Sequence, residues 1–102
     1  MYLDEWALAI SKHCRDLNIR NKTDLALLRL YALIGLAKGS QVTTADVHNA
    51  WATWEITYGL HDHPKLVPFA RIPEREKQLL HLKHQDAILL AVKDLAADGF
   101  DT

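Results

Sequence analysis

From Leu25 to Ala37 the chain has almost no polar side. Leu25, Ala26, Leu27, Leu28, Leu30, Tyr31, Ala32, Leu33, Ile34, Leu36 and Ala37 are broken only by Arg29 and Gly35. A helix that is apolar on every face has to be covered nearly all round. It falls short of the roughly 18 to 20 apolar residues that a membrane span needs, and Arg29 interrupts it, so no membrane is expected. The chain has 102 residues, enough for one domain with one core. Cover can therefore come from three other helices packed round the apolar one, or from a homodimer seam along its exposed side.

The flanking sequence supplies those three helices. Leu3, Trp6, Ile10, Cys14 and Leu17 recur at three- and four-residue steps and predict a first helix over 2–17. Thr23 as cap, Asp24 in the first turn, and Lys38 before Gly39 bound the apolar helix at 24–38. Thr43 or Thr44 can cap a third helix over 44–58, with the stripe Val47, Trp51, Trp54 and Tyr58 and with Gly59 as terminator. Pro64, Pro68 and Pro73 then exclude a helix, and with Leu66, Val67, Phe69 and Ile72 as anchors they predict an ordered irregular loop over 60–73. A last helix over 74–97 carries Leu79, Leu82, Leu89, Val92 and Ala96 as its main stripe, widened by Leu80, Ala87, Leu90 and Ala91. The expected fold is all-α: a compact four-helix domain with a proline-pinned loop between helices 3 and 4. Only four Gly and three Pro in the whole chain agree with that.

Twelve Lys and Arg against thirteen Asp and Glu give a formal charge of -1. That balance supplies no drive for counterion release from duplex nucleic acid, so a nucleic-acid partner is not expected. The single cysteine, Cys14, cannot form an intramolecular disulfide or a Cys-rich zinc site, which suits a reducing cytoplasm. Asp4 and Glu5 stand where a signal peptide would carry positive charge.

Trp54, Tyr58, His61, His63, Lys65 and Arg71 fall around the end of the third helix and the following loop. Together they offer aromatic faces and donors that suit a base and a phosphate. The competing reading places Trp51, Trp54 and Tyr58 in the core with Val47. His48 lies three residues before Trp51, so the two are helix neighbours, and it is read as a structural imidazole bonding the loop backbone. His61-Asp62-His63 has donors that suit zinc or nickel, and His81 and His84 could join it. Adjacent loop ligands without a partner motif are a weak signal, however, and a solvated polar face explains His81 and His84 equally. No metal and no cofactor are expected. Arg29 needs a carboxylate or an anionic ligand, and a structural salt bridge is the simpler answer.

The stretch 47–95 reads Val-His-Asn-Ala-Trp at 47–51, Thr-Tyr-Gly at 57–59, His-Pro-Lys-Leu-Val-Pro-Phe at 63–69 and Ile-Pro-Glu-Arg-Glu-Lys at 72–77, followed by an amphipathic helix. This order resembles the ryanodine-receptor repeat, the RyR domain, a small helical module without catalysis. The resemblance implies structural motif roles for His48, Trp51, Gly59, Pro64 and Pro68, and a role in sensing nucleotide-derived ligands. Where that family has Gly-Trp before Thr-Tyr-Gly, this chain has Glu55 and Ile56, so a stacking surface would fall to Trp54 or Tyr58. The rest of the chain is similar to small actinobacterial and actinophage proteins, which implies a bacterial or phage-infected cytoplasm.

No Gly-rich phosphate cradle, nucleophile elbow or recognisable Cys-His pairing occurs, so no enzyme is expected. The first functional expectation is a binding or regulatory module that senses or sequesters a nucleotide-like molecule. The alternative is a homodimeric interaction module acting on a host or phage protein through the apolar helix. A third reading, a helix-turn-helix-like DNA binder, meets a candidate recognition helix, Thr44 to Tyr58, that contains no Lys or Arg.

Overall fold

The computed structural model describes residues 2–58 and 74–97, with side chains over 3–58 and 81–96. Four α-helices are present: α1 (Tyr2–Ser11), α2 (Lys22–Lys38), α3 (Thr44–Thr57) and α4 (Glu74–Ala97), with a short 3-10 turn at Gly39–Gln41. No strand occurs among the described residues. The predicted loop over 60–73, with its three prolines, lies outside them.

Two boundaries differ from the periodicity. The first helix ends at Ser11 rather than at residue 17. Beyond it, His13 N–H and Cys14 N–H donate to the carbonyls of Ile10 and Ser11, three residues back, so the chain winds into tight turns. Cys14 and Leu17 are buried all the same, because those turns keep them on the inner side. The second helix begins earlier than Thr23 implies: Asn21 is its cap, its side-chain oxygen accepting from the N–H groups of Thr23 at 2.9 Å and Asp24 at 3.1 Å. Asn outranks Thr as a cap, and here it stands nearer the polar turn. The third helix starts where expected, with Thr43 and Asp46 forming a reciprocal capping box.

The apolar α2 is enclosed as its composition demands. Leu27, Leu28, Tyr31, Ala32 and Gly35 are buried, with α1, α3 and α4 all packing against it. Trp6 and Ile10 of α1, Val47 and Trp51 of α3, and Ala87, Ile88 and Ala91 of α4 complete the core. Among the apolar residues of α2, Leu33 and Ala37, one turn apart, are the exposed ones. At Gly35 a Cβ would lie 2.8 Å from Cζ3 of Trp6, so the bare backbone is what lets the indole lie against the helix.

Helix α4 is turned relative to the expected stripe. Leu82 and Leu90 are exposed, whereas His81, His84, Ala87, Ile88, Ala91 and Leu95 face inward. Helix α3 likewise buries Val47, His48, Ala50, Trp51 and Glu55, with Trp54 at the margin and Tyr58 outside. No helix among the described residues is long and apolar enough to cross a membrane.

Gly39 ends α2 with φ +55° and ψ -126°, a conformation L residues rarely adopt, and nothing lies within 4 Å of a Cβ there. Gly39→Ala therefore tests backbone strain without a clash. A stability loss of about 1–2 kcal/mol is expected in a denaturant titration.

Candidate functional site

Among the residues expected to hold a ligand, Trp54 and Tyr58 are described, and His61, His63, Lys65 and Arg71 lie outside the described residues. So do Gly59, Pro64 and Pro68, residues on which the resemblance to the RyR repeat rests. Trp54 is half-buried, and its indole N–H donates to the Thr23 carbonyl at 2.8 Å, tying α3 to the first turn of α2. Tyr58 is 47% exposed, its ring centroid 6.3 Å from that of Trp54. Where the family pattern has Gly-Trp, Glu55 is buried and Ile56 exposed. Trp51 is a core residue.

Arg29 meets the expected carboxylate. Its Nε and Nη2 donate to the two oxygens of Asp4 at 2.8 and 3.3 Å, a bidentate pair. Both side chains are roughly two-fifths exposed, so this is a surface pair rather than a buried guanidinium. The hydrogen bond from Arg29 holds the Asp4 carboxyl below its ordinary value against the opposing effect of burial.

His81 and His84 are not on a solvated face. His81 is fully buried and faces His48 across the α3–α4 contact, with Nδ1 of His48 2.7 Å from Nε2 of His81. The rings of both lie edge-on or tilted against Trp51, at 5.8 and 5.6 Å between centroids. His48 thus has a side-chain partner on α4 in addition to its predicted place beside Trp51.

One turn along α4, His84 is the centre of a second polar cluster. Its Nδ1 is 2.7 Å from the Tyr31 hydroxyl and its Nε2 2.9 Å from Oδ2 of Asp16. Cys14 donates its S–H to Oδ1 of the same carboxylate at 2.9 Å, and Lys83 Nζ lies 3.4 Å from that oxygen. With Nδ1 of His84 accepting a hydrogen bond from the Tyr31 hydroxyl and Nε2–H donating to Asp16, every member has a partner. Burial, then the hydrogen bond to Asp16 and its charge, push the Cys14 thiol up to about 12. It therefore keeps its proton at neutral pH and is no nucleophile. Burial would raise Asp16, but the hydrogen bonds from Cys14 and His84 outweigh it and hold the carboxyl well below the usual range. Cys14, Asp16 and His84 each offer one donor atom, all within 4.8 Å of one another.

The sequence did hold a sign of this. Counting back from Leu95 through Ala91 and Ile88 by alternating steps of four and three lands on His84 and then His81. Histidine as a residue type suits a buried and a solvated position alike, so type alone does not place them. Nothing local tied Asp16 to either, since 68 residues separate it from His84.

On the far side of α2, a groove of about 390 Å³ opens between α2 and α3. It is lined by apolar Leu30, Leu33, Ile34, Ala37 and Ala50 and by polar Lys38, Asp46, Asn49 and Thr53. Lys38 and Asp46 are paired at 2.7 Å. Leu33 is 53% exposed.

A family model describing a domain of unknown function matches residues 1–93 of the chain. No curated protein and no solved structure matches it.

Proposed function

The chain belongs to the family DUF7701, a domain of unknown function, and from the groove on α2 we propose a non-catalytic interaction module, a homodimer with the α2–α3 groove as its seam. The observation that carries this is the exposed apolar pair Leu33 and Ala37 on a helix whose other apolar residues are buried or half-buried. Exposed apolar strips rimmed by polar residues mark association surfaces. A second copy is the fitting occupant because Lys38 and Asp46, paired within the chain, leave that part of the lining neutral, so two such grooves can face each other across a two-fold axis without like charges meeting. A net charge of -1 adds almost no repulsion between copies.

Sedimentation equilibrium over a range of concentrations tests it. A dimer is expected, and Leu33→Asp, at a half-exposed position, should yield a folded monomer with unchanged helical circular dichroism. A monomer at every concentration up to the solubility limit, or a dimer indifferent to Leu33→Asp, overturns the reading.

The exposed ring of Tyr58 beside Trp54, together with the RyR-like motifs, favours a second reading, a nucleotide-like ligand at the end of α3. In native mass spectrometry with linear and cyclic nucleotides, a stoichiometric adduct lost in Tyr58→Ala would support it. The unmodified subunit mass across the whole panel would remove it.

A further inference from the structure

We propose that Cys14, Asp16 and His84 form a zinc site, on grounds independent of the groove and contrary to the expectation of no metal. Thiolate sulfur, imidazole nitrogen and carboxylate oxygen are the three donor types zinc takes from proteins, and here one of each converges within 4.8 Å. The donors come from distant parts of the chain, the turns after α1 and the inner face of α4, so the folded domain assembles them.

Three features distinguish this cluster from polar groups that happen to meet. First, His84 is held from behind. Tyr31, itself fully buried, sits 2.7 Å from Nδ1 and fixes the ring with Nε2 aimed at Asp16. Metal-binding histidines are oriented in this way by a group on the other ring nitrogen. Second, the charges match. A thiolate and a carboxylate carry two negative charges, so a divalent ion makes a neutral centre, the form least costly to place against the buried Tyr31. Third, there is a way in: Cys14 and His84 are buried, whereas Asp16 is exposed and opens the cluster to solvent.

Binding balances as follows. The Cys14 S–H, which keeps its proton while the cluster is empty, releases it to solvent as the sulfur takes the metal, whose positive charge favours the thiolate. His84 changes tautomer, the proton moving from Nε2 to Nδ1; the Tyr31 hydroxyl rotates its own hydrogen away from the ring and accepts from Nδ1–H, and Nε2 takes the metal. Asp16 stays a carboxylate and exchanges its two hydrogen bonds for a metal bond. The Lys83 ammonium, 61% exposed, moves away into water. Solvent fills the fourth position on the Asp16 side.

The test uses the full chain, stripped with a chelator and titrated with Co²⁺ and then Zn²⁺. One equivalent of Co²⁺ should give a near-ultraviolet thiolate-to-metal charge-transfer band and intense visible bands of a tetrahedral centre, both bleached by Zn²⁺. At a hundredfold excess over Kd, Zn²⁺ should raise Tm by on the order of 10 °C. Cys14→Ser preserves volume and the hydrogen bond to Asp16, so it should fold as before and lose the charge-transfer band. Tyr31→Phe keeps all three donors and should weaken binding about 10- to 100-fold. Two results overturn the proposal: no charge-transfer band in the unmodified chain, or a band undiminished in folded Cys14→Ser. Co²⁺ bound without thiolate character, as at the other histidines, counts as the first.

Discussion

Trp6→Ala is expected to lower stability by about 3–5 kcal/mol and Tm by about 15 °C or more. Trp6 is 1% exposed, among the largest fully buried side chains described, and its removal leaves a void between α1 and α2. A domain of this size holds roughly 5–15 kcal/mol in all, so the variant stands near the edge of folding. The sharper result comes from pairing the change with Gly35. Alone, Gly35→Ala gains about 1 kcal/mol of helix propensity, but its methyl would lie 2.8 and 3.2 Å from ring carbons of Trp6. Overpacking of that kind costs about 1–3 kcal/mol, so the single change should destabilise. In the Trp6→Ala background the obstruction is gone, and the same Gly35→Ala should stabilise. Urea melts of the four proteins check the reversal of sign. Destabilisation by Gly35→Ala in both backgrounds would show that the indole is not what requires the glycine.

His84→Leu is the other large effect, an expected loss of about 2–3 kcal/mol. The leucine fills a similar volume but leaves the buried Tyr31 hydroxyl without its partner and removes the hydrogen bond to Asp16. Tyr31→Phe should cost about 1 kcal/mol alone and clearly less in the His84→Leu background, because the group it would orphan is already gone. Strict additivity in that cycle would mean the two side chains do not act as a unit. The carboxylate adds a pH signature. Asp16 titrates lower in the folded chain than in the unfolded one, so its stabilisation is complete above about pH 4 and fades as pH falls towards the folded value. His84→Leu removes one of the causes, and its acid unfolding should be correspondingly less steep than that of the unmodified chain.

The helical plan was legible because it rests on local rules. The Gly39 stop, the Thr43–Asp46 cap and the enclosure of α2 each follow from a few neighbouring residues. Trp51 as core and Arg29 as one half of an ion pair were equally readable, the second only as a need for some carboxylate. Which carboxylate, Asp4, depends on how α1 crosses α2, and no spacing reports that. Misreadings arose where a residue type was taken for an environment. Leu82 and Leu90, expected inside, are outside; His81 and His84, for which a metal site and a solvated face both stood open, are inside. An imidazole is small, and once hydrogen-bonded it packs as an aromatic. The Cys14–Asp16–His84 cluster was invisible for a different reason: its members belong to segments that look unrelated until the turns after α1 are laid against α4.

Those turns have a kinetic consequence. Besides the Asp16–His84 contact, His13 Nε2 meets Asp94 Oδ2 at 2.6 Å, so residues near the start of the chain are joined to the last helix across 81 positions. Small helical bundles fold fast because most of their contacts are local, while contacts this distant in sequence require a long loop to close first. The slow event expected from that separation is the docking of the turns after α1 against α4. Weakening His13–Asp94 should slow folding more than it speeds unfolding if that docking belongs to the transition state. It should also bring amide exchange in α1 closer to that of a frayed end.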